Sequence, residues 1–212
     1  MINKKTDLNL AYSIKTPEDS IKLYNDWAKS YDKDFVKKSN YLSPLKISNF
    51  FKKHSTINDK PILDIGAGTG LIGKYLNKNN NKNIIGIDIS SAMLKKAELK
   101  KCYSSLIAAD VTKKIPLENN SIGAVVSAGT FTYGHVGPEA LDELLRVTRQ
   151  GGLFIISIHC ELFVKGGFQK KFIKIKNKIS VPIFNIFKIY GENSDKKHAN
   201  DKAYAAIFRK KI

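Results

Sequence analysis

From residue 61 onward, short apolar runs alternate with stretches of helical period, the pattern of βαβ units around a parallel sheet. Pro61-Ile62-Leu63-Asp64-Ile65 predicts a buried strand entering a glycine turn, with a helix from about Gly70 through Leu76. Ile84-Ile85-Gly86-Ile87-Asp88 predicts the second strand. Ser90 can cap a helix to about Leu99, along which Met93, Leu94 and Ala97 share one face. Ser105 to Ala109 reads as a third strand ending at Asp110, and Ile122 to Ala128 as a fourth. Pro138 suits the first turn of a helix reaching Val147. Gly151-Gly152 then turns into a fifth strand, Leu153 to Ile158.

The two ends of the chain read differently. Before residue 61, helices are expected over about Pro17–Ala28, Asp32–Lys38 and Leu45–Lys53. Beyond His159, Phe168, Phe172, Ile175 and Ile179 fall at i, i+4, i+7 and i+11, one apolar face of a lysine-flanked helix. Val181–Tyr190 and Ala203–Arg209 read as two further strands, and Asn77–Asn83 as a polar turn. The whole pattern predicts one α/β domain: a helical cap over 1–60, an alternating strand–helix core over 61–159, and a basic helix with a terminal strand pair over 160–212.

Composition narrows the class. A chain of 212 residues, 42% hydrophobic and 26% charged, has the make-up of a globular domain able to build its own core. No apolar stretch of about 18 residues occurs, so no spanning helix is predicted, and the first residues lack the apolar segment of a signal peptide. Cys102 and Cys160 have neither C-x-x-C nor zinc-ligand spacing, which predicts free thiols, no metal site and a cytoplasmic setting. The formal charge of +17 raises nucleic acid or an anionic membrane as partners. Residues 61–160 carry only +3 of it, against +9 over 161–212. Among 36 cations only Arg146, Arg149 and Arg209 carry the planar fork that suits bidentate phosphate contacts. A solvated lysine surface is therefore favoured. Nucleic acid is disfavoured but stays open, and the Phe168–Ile179 face either packs on the sheet or meets a membrane peripherally. Nothing in the pattern sets an oligomeric state.

The chemistry concentrates at Asp64-Ile65-Gly66-Ala67-Gly68-Thr69-Gly70. Alternate glycines after a buried strand let the backbone turn tightly and approach a ligand without Cβ clashes. The helix that follows offers free N–H groups at its start. Asp88, eighteen residues after Gly70, closes the next strand, where a carboxylate can accept from both hydroxyls of a ribose. The layout describes an adenosine-containing cofactor at the carboxyl ends of parallel strands. Read from Gly68, the segment Gly68-Thr69-Gly70-Leu71-Ile72-Gly73 also satisfies the dinucleotide pattern G-x-G-x-x-G, so an NAD-dependent oxidoreductase is the rival reading. Asp64, two residues before the first glycine, favours a ligand with a free amino group over a repelled pyrophosphate.

Ile62 to Gly70 resembles motif I of class I S-adenosylmethionine-dependent methyltransferases, and Ile85 to Leu94 resembles their second motif. Leu144-Leu145-Arg146-Val147-Thr148-Arg149-Gln150-Gly151-Gly152 is similar to that family's entry to strand five. Tyr24-x-x-Trp27-Ala28-x-x-Tyr31-Asp32 resembles the aromatic lid of its small-molecule branch, and is most similar to the methyltransferase-like 27 (Williams–Beuren region) group. The chain departs from the family at Gly123, where an acid usually opens strand four, and at Gln150, where a proline usually precedes the glycine pair.

The resemblance implies a Rossmann-like α/β/α sandwich with a seven-stranded, mostly parallel sheet, an antiparallel last strand and the N-terminal helices as a lid. It implies S-adenosyl-L-methionine as cofactor and methyl transfer to a small-molecule substrate. By position, Asp64 and Gly66 would face the methionyl end, Gly68 and Gly70 would shape the turn, and Tyr31 would close over the cofactor. Asp88 would hold the ribose, with Ile89 on the adenine. Asp110 and the Val111 N–H would meet the adenine edge, and Ser127 and Ala128 would lie near the sulfonium. For a proton acceptor the residues offer His135 and, behind it, Tyr133, both in the loop after strand four. Trp27 is expected in the core, His159 as a substrate contact or packing residue, and His54 and His198 at the surface. An RNA methyltransferase, motivated by the charge, is the remaining alternative.

Overall fold

The computed structural model describes residues 8–77, 83–192, 194 and 198–211. Seven strands form one sheet: β1 (Ile62–Ile65), β2 (Ile84–Asp88), β3 (Ser105–Ala108), β4 (Ile122–Phe131), β5 (Thr148–His159), β6 (Ile183–Lys188) and β7 (Lys202–Arg209). Their spatial order is β3-β2-β1-β4-β5-β7-β6. The first five run parallel, in register Ile62↔Ile84 and Ile62↔Ala124 around β1. All four residues of β1 are buried, as expected of a central parallel strand covered on both faces. β7 is antiparallel to β5 from Leu153↔Arg209 to His159↔Ala203, and β6 is antiparallel to β7.

Alternation along β1 sets two cores. Leu63 and Ile65 pack with Val125 and Phe154 against helix α6 (Ala140–Val147) and helix α8 (Phe168–Lys174). Ile62 packs with Ile84, Val126 and Ile155 against α3 (Ser43–His54), whose Ile47 and Phe51 are buried, and Ile72 of α4 (Leu71–Leu76). α5 (Ser91–Glu98) buries Met93, Leu94 and Ala97, and the Ser90 hydroxyl accepts from the Met93 N–H at 3.1 Å as its cap.

The cap over the carboxyl ends of the strands comprises α1 (Leu8–Tyr12), α2 (Pro17–Trp27) and a π-helical segment, Asp32–Lys37. α2 begins in a reciprocal box: the Thr16 hydroxyl accepts from the Asp19 N–H at 3.1 Å, and the Asp19 carboxylate accepts from the Thr16 N–H at 3.2 Å. Asn25 of α2 accepts from the Ser90 hydroxyl at 2.7 Å, which ties the cap to the start of α5.

Several expectations shift. β4 and β5 are longer than the apolar runs that announced them. α6 starts at Ala140, because Pro138 and Glu139 form a turn before it. The Phe168–Ile179 pattern is helical only to Lys174: Ile179 pairs with Lys210 in an antiparallel bridge, so the chain has turned to the sheet by then. All four apolar residues of that pattern are nonetheless buried. The short helices α1 and α7 (Cys160–Lys165) went unmarked by any periodicity. Most of the Asn77–Asn83 turn lies outside the described residues. Among the described residues no helix is long and apolar enough to cross a membrane.

Candidate functional site

Where β1, β2 and β4 end, the sheet opens onto a cleft of about 890 Å³, counted to its solvent-filled mouth. Gly66 and Gly68 form its floor, at φ +66° and +54° in the left-handed region that favours glycine. A Cβ on Gly66 would stand 2.0 Å from the Thr130 hydroxyl, which is itself fixed by donating to the Ile65 carbonyl at 2.9 Å. A Cβ on Gly68 would meet nothing nearer than the Gly66 carbonyl at 3.9 Å, so this glycine borders open space.

Asp88 ends β2 beside that floor. Its carboxylate accepts the Gly68 N–H and the Ser90 N–H, each at 2.8 Å, one on each oxygen. Burial raises its pKa, and the N–H groups of Ser90, Gly68 and Ile89 pull it back. With these N–H groups bound, the carboxylate keeps acceptor capacity for a further donor. Across the cleft, one oxygen of Asp110 accepts the N–H and hydroxyl of Thr112 at 2.9 and 2.6 Å. Its other oxygen is buried without a hydrogen-bond partner, with the Lys113 ammonium 3.8 Å away. That is an acceptor left for a ligand.

The cap supplies the roof. Thr16, Pro17, Ser20, Tyr24, Tyr31 and Tyr41 line the cleft from above. Asp32, next to Tyr31, accepts from the Thr69 hydroxyl, and its second oxygen meets the Lys100 ammonium at 2.8 Å. Lys100 also donates to the Thr69 carbonyl. This clamp joins the roof to the last residues of the glycine turn. His135 lies at the cleft's inner edge. Its Nδ1 faces the Tyr133 carbonyl, which can only accept, so Nδ1 carries the proton. Nε2 is then the acceptor, taking the Tyr24 hydroxyl at 2.8 Å. Burial lowers the His135 pKa, so the ring is neutral at neutral pH.

Of the residues singled out from the sequence, Tyr31, Gly66, Gly68, Asp88, Ile89, Asp110, Val111, Ala128 and His135 all line the cleft. Four do not. Asp64 is 1% exposed and points from the other face of β1, where one oxygen accepts from the Tyr103 hydroxyl at 2.7 Å and the other has no partner. Burial pushes its carboxyl up to about 7. Gly70 abuts Ala97 and Tyr103, and the Ser127 hydroxyl is spent on the Ile65 carbonyl at 2.8 Å. Tyr133 donates to Glu161 at 2.6 Å. His198, expected at the surface, is 7% exposed and bonded to Asp201 at 2.9 Å. Sequence reasoning missed Tyr41 and the Asp32 clamp. Tyr41 follows Asn40 at φ +46°, a turn with no sequence signal of its own here.

A family model described as a methyltransferase domain matches residues 63–156, the stretch that builds β1 to β5 and the cleft floor. Over that stretch the chain is similar to the S-adenosylmethionine-dependent methyltransferases. Over 154 residues it is 28% identical to methyltransferase-like protein 27 of Homo sapiens, covering 69% of this chain and 60% of that protein. The matched stretch thus spans less than two thirds of that relative's length. A SAM-dependent methyltransferase from Aquifex aeolicus has the same fold at TM-score 0.59 and 17% identity, covering 87% of this chain and 98% of that one. The 4+2 cyclase SpnF superposes at TM-score 0.70 and 13% identity, covering 94% and 98%. The family departure at Gly123 has a local cause: a Cβ there would stand 2.4 Å from the Lys60 backbone, so no acid fits.

The cleft of this methyltransferase domain fits the family's cofactor. Gly68 borders open space, Asp88 keeps acceptor capacity for ribose hydroxyls, and the orphaned Asp110 oxygen can take an adenine amino group.

Proposed function

We propose that this chain transfers a methyl group from S-adenosylmethionine to a small-molecule acceptor. The observation that carries the reading is the Asp88 carboxylate, held by the Gly68 and Ser90 N–H groups at the edge of a glycine-floored cleft. When bound, the sulfonium supplies both the methyl group and the leaving group. Asp88 would then hold the ribose, Asp110 and the Val111 N–H the adenine edge, and Ile89 its face. Gly66 and Gly68 would let the methionyl part lie against the backbone. The roof of Tyr24, Tyr31 and Tyr41 excludes water and orients the acceptor, and positioning of this kind can supply several kcal/mol, ~7–11 at best.

His135 is the proton acceptor for an acceptor atom that must lose one. It is neutral, its Nε2 lone pair faces Tyr24, and it lines the cleft. A base so placed contributes about 10²–10⁴-fold. Tyr133 is the poorer candidate, since burial and Glu161 push its hydroxyl up to about 12. The fold alone leaves the reaction open, because a protein named a cyclase shares it. The test is a metabolite-library screen with radiolabelled methyl donor. Label should pass to at least one small molecule and should be lost in Asp88→Ala. Donor binding without transfer to any member would instead make the chain a cofactor-binding regulator.

A further inference from the structure

Behind the cleft lies a second chamber of about 500 Å³, counted to its mouth. Tyr24, Tyr31, Tyr41, Gly129 and His135 border both spaces, so the two share a wall that includes His135. The inner walls are rings. Trp27 meets Tyr31 edge-on at 5.1 Å and Phe35 at 5.2 Å, while Tyr12 and His159 sit 6.1 Å apart, also edge-on. Such walls favour a flat apolar body.

Two polar atoms in these walls are unmatched. Trp27 is 2% exposed and its Nε1–H has no hydrogen-bond partner. His159 is 4% exposed; its Nδ1 accepts from the Glu161 N–H at 3.3 Å, which leaves the proton on Nε2, and Nε2 likewise has no hydrogen bond. An indole N–H and an imidazole N–H can only donate, so each calls for an acceptor atom on a bound molecule. The charge of that molecule is also constrained. Among the described residues no lysine or arginine lines the chamber. The nearest full charge to His159 Nε2 is the Asp201 carboxylate at 3.9 Å. An anionic ligand would meet that carboxylate with no cation to offset it. An ammonium would be drawn to that carboxylate but would find two of the walls' polar groups offering only protons.

Resting on the methyl-transfer reading above, we propose that the chamber seats an uncharged, single-ring acceptor bearing a hydroxyl and a carbonyl oxygen. Its oxygens accept from Trp27 Nε1–H and His159 Nε2–H, and its hydroxyl replaces that of Tyr24 as the donor to His135 Nε2. Burial lowers the pKa of His159, which keeps that ring neutral and a single donor at neutral pH.

Trp27 is the chain's single tryptophan, so its fluorescence reports directly on the chamber. The full chain is titrated at pH 6.5 with 4-hydroxyacetophenone, benzoate and benzylamine, each with and without S-adenosylhomocysteine. 4-Hydroxyacetophenone should shift Trp27 emission saturably, with the two charged rings at least about tenfold weaker. By calorimetry, Trp27→Phe and His159→Phe should each weaken it about tenfold, as expected for loss of one donor. His159→Phe should leave S-adenosylhomocysteine affinity unchanged. Tighter binding of benzylamine or benzoate, or undiminished binding in both variants, overturns the proposal. Should S-adenosylhomocysteine itself fail to bind, the methyl-transfer reading falls, while the titrations without it still decide the chamber's ligand.

Discussion

Asp64 owes its charge state to the parity of β1. It shares a face with Ile62, so its carboxyl is sealed against Tyr103 and not presented to the cleft. Burial raises its pKa from the ordinary 3.8 to about 7, aided by the nearby Asp88 charge and opposed by the Tyr103 hydrogen bond. Below about pH 4 the group is protonated folded or unfolded and contributes no pH dependence. Between about 4 and 7 the unfolded chain ionises while the folded one keeps its proton, so stability falls as pH rises and levels off above 7. Asp64→Asn should therefore change little at pH 4 and stabilise at pH 8, by on the order of 4 kcal/mol at most, in denaturant melts across pH. A second residue-level expectation concerns Gly66. Gly66→Ala adds a methyl 2.0 Å from the Thr130 hydroxyl at a positive φ, so it should destabilise by more than about 1 kcal/mol and abolish cofactor binding. His135 gives a third: with its pKa lowered by burial, turnover should be flat across neutral pH and fall only as acid protonates the ring. His135→Gln should remove that acid limb along with most of the rate. The floor of the site was legible at this scale because a βαβ turn fixes where Gly66, Gly68 and Asp88 must lie. The partner of Asp64 was not, since Tyr103 reaches it from a loop 39 residues away.

At the scale of elements, the roof packs Trp27 and Phe35 into the second core, and one polar junction pins it to the glycine turn. The π-helical segment Asp32–Lys37 carries Asp32 onto the Thr69 hydroxyl and the Lys100 ammonium. Lys100 is 18% exposed and Asp32 45%, so the pair is partly screened and adds little to global stability. Asp32→Ala should cost under about 1 kcal/mol in thermal melts. It should nonetheless weaken S-adenosylhomocysteine several-fold in calorimetry, because Tyr31 loses its anchor over the cleft. The strands and longer helices were readable because apolar runs and 3.6-residue periods each bury one face. α1 and α7, at five and six residues, are too short to show a period. The end of α8 was misjudged because Ile175 and Ile179 are buried by a turn and a bridge that happen to continue helical spacing.

Over the whole molecule, charge is unevenly placed. The chain is +17, yet the cleft is walled by Asp88 and Asp110, with Asp64 sealed beneath, and among the described residues Lys15 is the one lysine in its lining. A positive exterior around a carboxylate-walled cleft suits a cationic sulfonium better than a pyrophosphate. The +9 of residues 161–212 is partly absorbed within the fold: Lys171 pairs with Asp142, and Arg209 meets both Asp59 oxygens, at 2.7 and 3.0 Å. The seven-stranded, mostly parallel sheet and its antiparallel last strand followed from the alternation of elements together with the family resemblance. The aromatic chamber did not, because its walls come from the cap, β4, β5 and β7, segments brought together only by folding. The most direct measurement is calorimetric titration of the wild-type chain and Asp88→Ala with S-adenosylhomocysteine and with NADH. One-to-one binding of S-adenosylhomocysteine, weakened about 10–100-fold by Asp88→Ala with NADH silent, is the expected result. Heat from NADH with none from S-adenosylhomocysteine, or an Asp88→Ala chain that binds it as tightly as wild type, would contradict the assignment of the cleft.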